Sequence, residues 1–174
     1  KRFQYERFIL SQLLVMALKG VPAFYLPALL ASENDIKSFS MTGQRRDLNR
    51  EKFKSENLSA VLNNPESNAN KNLKYLRNAM DVRSELKQFH PCSQMKCLSK
   101  GRSDIVVIKR GKGPESVFAI HNMTENKINY QLNDNDLPKI IDNDFNTHDF
   151  LTSTKYNCKN ISLDPFQVIW LSAL

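Results

Sequence analysis

The sequence predicts two successive architectures, an α/β part over residues 1–100 and an all-β part over residues 101–174. In the first part, a long apolar helical pattern is followed by a short apolar run that indicates one buried strand. In the second part, short runs rich in β-branched and aromatic residues follow one another with no helical pattern between them. A helix followed by a buried strand is typical of a parallel α/β sheet, whereas strand after strand indicates an antiparallel sheet or a small sandwich.

The first predicted element is a buried helix over residues 2–19. Its apolar side chains cover most of the helical circumference, as expected of a helix packed between layers, and Gly20 ends it. Residues 21–26 then predict a strand buried on both faces, with Pro22 close to its start, where proline is tolerated. Polar residues, glycine and prolines interrupt the apolar stretch before it reaches the roughly 20 residues that cross a bilayer. We therefore expect no membrane span.

A polar loop over residues 28–53 follows the predicted strand. In a parallel α/β architecture, the loops after the strands form the ligand-binding face. Apolar positions at helical spacing predict two further helices, over residues 52–62 and 69–88, with a turn at residues 63–65 between them.

The second part is predicted to hold four strands, over residues 104–110, 116–122, 127–132 and 166–171. Turns rich in glycine, proline, asparagine and aspartate separate them at residues 111–114 and 133–136. We place the boundary between the two parts at residues 100–103.

Charge and cysteine content exclude several classes of partner. The 25 lysines and arginines outnumber the 18 acidic residues, but they are spread along the chain without a basic stripe, so we expect no nucleic-acid partner. Three cysteines are too few for a disulfide framework and favour a reducing, cytoplasmic setting. Cys92 and Cys97 lie near His90, but they lack the spacing of paired zinc ligands. We therefore expect no metal and no cofactor.

The densest polar cluster is the run over residues 43–50, within the predicted loop. Arg46 offers a planar fork of donors suited to phosphate or carboxylate groups. Asp47 beside it can accept hydrogen bonds from sugar hydroxyls or hold a guanidinium still. A solvated loop with capping residues would have a similar composition, so the run by itself leaves both interpretations open.

The ordered set of motifs resembles a known family. Residues 20–26 (GVPAFYL), 30–35 (LASEND) and 46–50 (RDLNR) are similar to the last barrel strand and following loop of sucrose phosphorylase and its relatives in glycoside hydrolase family 13. Four later segments resemble the C-terminal β-domain of that family, at residues 89–91, 117–124, 148–151 and 163–171. The resemblance spans essentially the whole chain.

This resemblance implies the last strand and helices of a (β/α)₈ TIM barrel, followed by a small antiparallel β-domain. It also implies transfer of glucose, with retention, from sucrose to phosphate, or from a related α-glucoside such as glucosylglycerate or phosphorylated sucrose. Retaining transfer needs two carboxyl groups about 5–5.5 Å apart. The family carries an Asp, a Glu and a further Asp on earlier strands. We therefore expect this chain to lack them and to be inactive on its own.

For the site, the resemblance places Arg46 near the acceptor subsite, where it would orient the departing sugar or the incoming phosphate. Asp47 and Arg50 match the same motif, but they can equally brace the loop by ion pairing. The expected partners of the full-length enzyme are the α-glucoside and phosphate, with a homodimer left open. The alternative is a non-catalytic interaction or accessory module derived from this family.

Overall fold

Helices occupy most of the first half of the chain. The computed structural model describes residues 2–49, 52–99, 101–133 and 146–172. Within these lie α1 (Gln4–Ala17), α2 (Leu26–Leu29), α3 (Ile36–Thr42), α4 (Ser55–Asn63) and α5 (Asn68–Glu85). Short 3-10 helices cover Arg45–Asn49, Lys87–Phe89 and Gly113–Glu115. The helices α1, α4 and α5 confirm the three helices predicted from apolar spacing.

The second half is built from short antiparallel strands. They are β1 (Met95–Cys97), β2 (Ile105–Arg110), β3 (Val117–Asn122), β4 (Ile128–Tyr130), β5 (Asn146–His148), β6 (Lys155–Asn157), β7 (Ile161–Leu163) and β8 (Val168–Ser172). One sheet has the order β1-β2-β3-β8, while β4 pairs with β7 and β5 with β6. The strands β2, β3, β4 and β8 confirm the four predicted ones. Except for Asn133, the predicted turn at residues 133–136 lies outside the described residues.

The core of the β part lies on one face of the main sheet. Val107, Ile120 and Ile169 are register neighbours across β2, β3 and β8, and all three are buried. They belong to one apolar cluster with Ile161 and Leu163 of β7. The strand β3 is buried along its full length because α1 packs against it as well.

Helix α1 buries one face rather than its whole circumference. Leu13 and Met16 are fully buried, whereas Val15 is 45% exposed and Leu18, just after the helix, is 42% exposed. This differs from the predicted helix packed between two layers. Among the described elements, a single layer, the sheet at β3, covers α1.

The prediction of a buried strand over residues 21–26 is wrong for this structure. Residues 21–25 have no regular secondary structure, and α2 begins at Leu26. Val21 is 80% exposed and Tyr25 is 54% exposed. A strand needs a neighbouring strand for its backbone hydrogen bonds, and none of the described strands pairs with this run.

The chain groups into two compact units, one of Lys1–Pro22 with Ala79–Leu174 and the other of Ala23–Asn78. The domain boundary expected at residues 100–103 stays a prediction. Among the described helices, none combines the length and apolar character needed to cross a membrane.

Candidate functional site

The loop predicted over residues 28–53, here named the substrate-side segment, contains a helix that the sequence pattern did not predict. Helix α3 begins after Asp35, whose carboxylate accepts hydrogen bonds from the Ser38 N–H (2.9 Å) and hydroxyl (2.5 Å). These bonds, the hydroxyl bond first, lower the pKa of Asp35. Gly43 ends the helix with a φ of 67° and donates its N–H to the Phe39 carbonyl at 2.8 Å. Few other residues adopt this left-handed conformation.

Arg46 and Asp47 lie on the 3-10 helix that follows α3. Asp47 accepts a 2.6 Å hydrogen bond from the Thr42 hydroxyl. The Arg46 Nε lies 4.0 Å from the Asp47 Oδ1, and the Arg46 side chain is 66% exposed. An ion pair this long and exposed contributes little to stability. Asp47 is therefore part of the local bracing, while the guanidinium of Arg46 remains accessible to a ligand.

A backbone contact closes the segment on itself. The Asp35 N–H donates to the Leu48 carbonyl at 2.8 Å, so the start of α3 and the 3-10 helix are joined directly. Of the three predicted site residues, the structure thus brings together Arg46 and Asp47. The third, Arg50, lies outside the described residues.

An open depression of about 700 Å³ lies beside the start of α3. Asp35, Lys37 and Lys52 line it together with the exposed apolar side chains of Ile36 and Met41. The two lysine charges contribute to the lowered pKa of Asp35, after its hydrogen bonds with Ser38. The lining therefore combines both charge signs with apolar surface, which suits a polar ligand with a carbon skeleton.

The described carboxylates of this segment are placed to brace and bind rather than to cleave. Asp35 caps a helix, and Asp47 is bonded to Thr42. Retaining glucosyl transfer would require a nucleophilic carboxylate facing a proton-donating one. In the described part of the chain, no group of three or more histidine, cysteine or acidic side chains could hold a metal ion. What the segment offers chemically is an accessible guanidinium on a braced turn.

Two buried polar residues of the β part were not indicated by the sequence. Asp149 accepts hydrogen bonds from the backbone N–H groups of Trp170 (2.7 Å) and Leu151 (3.2 Å), and burial raises its pKa. His121 is fully buried on β3, with its Nδ1 3.3 Å from the Val106 carbonyl. Burial lowers the pKa of His121 to about 4, so the ring is neutral at pH 7. Both serve the fold rather than the loop.

Comparison with known proteins places these features in a family. No protein-family model matches the chain. It is 32% identical over 119 residues to the glucosylglycerate phosphorylase of Allomeiothermus silvanus, a match that covers 68% of this chain and 21% of that protein. The glucosylglycerate phosphorylase of Escherichia coli is 22% identical over 165 residues, covering 95% of this chain and 28% of the relative. The chain is similar to one part of a glycoside hydrolase family 13 phosphorylase.

Solved structures agree with this family 13 resemblance at the level of fold. The trehalose-6-phosphate hydrolase of Bacillus licheniformis matches 98% of this chain with a TM-score of 0.68, at 16% identity and over 39% of that chain. The α-amylase of Geobacillus thermoleovorans matches 97% with a TM-score of 0.69, at 18% identity and over 33% of that chain. The family resemblance predicted from the ordered motifs is thus confirmed, and the chain spans about a quarter of the length of the two phosphorylases.

Proposed function

We propose that this chain is the C-terminal part of a larger family 13 phosphorylase that transfers glucose from an α-glucoside to phosphate with retention of configuration. The observation that carries the proposal is the 32% identity to a glucosylglycerate phosphorylase over 68% of the chain. Of the donors that the motifs suggest, glucosylglycerate is favoured over sucrose, because the glucosylglycerate phosphorylases include both relatives described above.

In this proposal the substrate-side segment binds the acceptor group and does not break the glucosidic bond. The braced turn presents the Arg46 guanidinium, whose planar fork of donors matches a phosphate or a glycerate carboxylate. Asp47 holds the turn through Thr42, and Arg50 is proposed to assist in the same loop. We expect the bond-cleaving carboxylates to come from parts of the enzyme that this chain does not supply.

Phosphorolysis by the full-length protein tests the proposal. Incubation with phosphate and either glucosylglycerate, sucrose or phosphorylated sucrose is followed by phosphorus NMR, which identifies the α anomer of glucose 1-phosphate. We expect this product from glucosylglycerate, and none from the 174-residue chain alone. Release of free glucose without a phosphate requirement would show a hydrolase instead. Turnover by the isolated chain would contradict the division of roles.

Arg46→Ala in the full-length protein is expected to raise the KM for phosphate by about 10- to 100-fold. A charge-assisted hydrogen bond contributes about 1.5–3 kcal/mol, which corresponds to that range. The matched control is Arg45→Ala, because Arg45 is an exposed arginine on the same 3-10 helix. Steady-state kinetics with varied phosphate measures both. Equal effects of the two substitutions would indicate a general loss of positive charge rather than a specific contact.

A further inference from the structure

The C-terminus of α1 is held by two arginines that are distant from it in sequence. The last carbonyl groups of a helix have no partner within the helix and usually need water or a cap. Arg83, from α5, donates its Nε to the Met16 carbonyl at 3.0 Å and its Nη2 to the Gly20 carbonyl at 2.9 Å. One guanidinium thus spans the last turn of the helix and the residue that leaves it.

The second arginine is Arg110, from β2, which is fully buried. Its Nη1 donates to the carbonyls of Ala17 (3.0 Å) and Leu18 (2.5 Å). Its Nη2 donates to the His90 carbonyl at 2.9 Å, which ties the same guanidinium to the turn after α5. Two side chains together therefore satisfy four consecutive or near-consecutive carbonyls at the end of α1.

Aromatic packing fixes both guanidiniums. The guanidinium carbons of Arg83 and Arg110 lie 5.8 and 5.4 Å from the centroid of the Phe89 ring, and that ring lies 4.6 Å from the ring of Trp170. Burial lowers the pKa of Arg110, and the nearby charge of Arg83 lowers it further. The negative end of the α1 dipole offsets the cost of placing two cations there.

The turn held in this way is where the chain leaves the helix. Gly20 has a φ of 113°, a conformation that side chains rarely adopt. Residues 21–25 beyond it form no regular structure, so no backbone ladder fixes them. The contacts that fix the direction of the chain at this point are therefore the arginine hydrogen bonds to the α1 turn.

We propose that Arg83 and Arg110 are positioning residues for the substrate-side segment, because they fix the turn from which the chain runs into it. The inference rests on the proposed function, in which Arg46 of that segment contacts phosphate. Neither arginine is proposed to touch the substrate. Their loss would let the start of the segment move, and displacements of about 1 Å can cost about 100-fold in rate.

The test compares Arg83→Met with Val107→Ala in the full-length protein. Val107 lies in the apolar cluster of the main sheet, so its truncation weakens the same unit without removing an arginine bond to α1. At temperatures where circular dichroism shows both variants folded, we expect Arg83→Met to raise the KM for phosphate by about 10-fold or more. Val107→Ala should leave that KM unchanged, and Arg83→Lys should recover part of the loss. Arg110→Met is the second variant.

A rise in the KM for phosphate that is equal in Arg83→Met and Val107→Ala, or absent in both, would overturn the positioning role. If the unmodified protein forms no glucose 1-phosphate, the proposed function fails on its own, and hydrogen exchange of residues 19–26 decides the inference. Faster exchange there in Arg83→Met than in Val107→Ala would support positioning by the arginine. Equal exchange in the two variants would contradict it.

Discussion

Asp149→Ala is expected to lower the free energy of unfolding by about 3 kcal/mol, whereas Asp149→Asn should cost less than about 1 kcal/mol. The carboxylate of Asp149 satisfies the N–H groups of Trp170 and Leu151 and accepts the Thr152 hydroxyl at 2.7 Å. Alanine leaves two buried backbone donors without a partner, and each carries a desolvation cost of about 1–3 kcal/mol. Urea titration of the 174-residue chain at pH 7 measures the difference between the two variants.

The asparagine variant separates hydrogen bonding from charge at the same position. Its Oδ1 can still accept both N–H groups, and its Nδ2 can donate to the hydroxyl of Thr152. Burial raises the pKa of Asp149, so the charged form costs stability as the pH rises through that raised pKa. Asp149→Asn removes this cost, which partly compensates for its less favourable geometry. If alanine and asparagine proved equally destabilising, the negative charge itself would be what the fold requires.

The strands of the β part could be predicted because their signal is local. Alternating β-branched residues in β2 and the apolar run of β3 are enough to indicate extended chain. The run over residues 21–26 carries the same local signal, yet it forms no strand, since a strand depends on a partner elsewhere in the protein. The opposite error occurred at α3, where the capping pair Asp35 and Ser38 was visible but the exposed apolar residues hid the helix.

The candidate site could be predicted only in part. The family motif pointed to Arg46, and the bracing of Asp47 by Thr42 is a contact five residues apart that a careful reading of the loop could suggest. Arg110 could not be predicted from spacing, because 93 residues separate it from the Ala17 carbonyl that it binds. A buried arginine in a strand resembles any other polar position until the helix end that it caps is known.

Acidification is expected to destabilise the chain through His121. The folded protein holds this ring neutral, with a pKa of about 4 against 6.5 for a free histidine, because the site is buried. The unfolded chain therefore takes up a proton first as the pH falls, so the stabilisation is complete above pH 6.5 and is lost progressively towards pH 4. The total loss over this window is about 3 kcal/mol.

Urea midpoints measured at several pH values between about 7.5 and 4.5 give the slope, and two variants assign it. His121→Leu has no titrating ring at the buried position, so its stability should fall far less over this window. His148→Gln removes an exposed histidine on β5 and should keep the slope of the unmodified chain. Since the ring of His121 lies on the face of β3 that α1 covers, its protonation should loosen α1 first. Hydrogen exchange at pH 5 should then rise in α1 before it rises in β7, and an equal rise in both would contradict a local effect at His121.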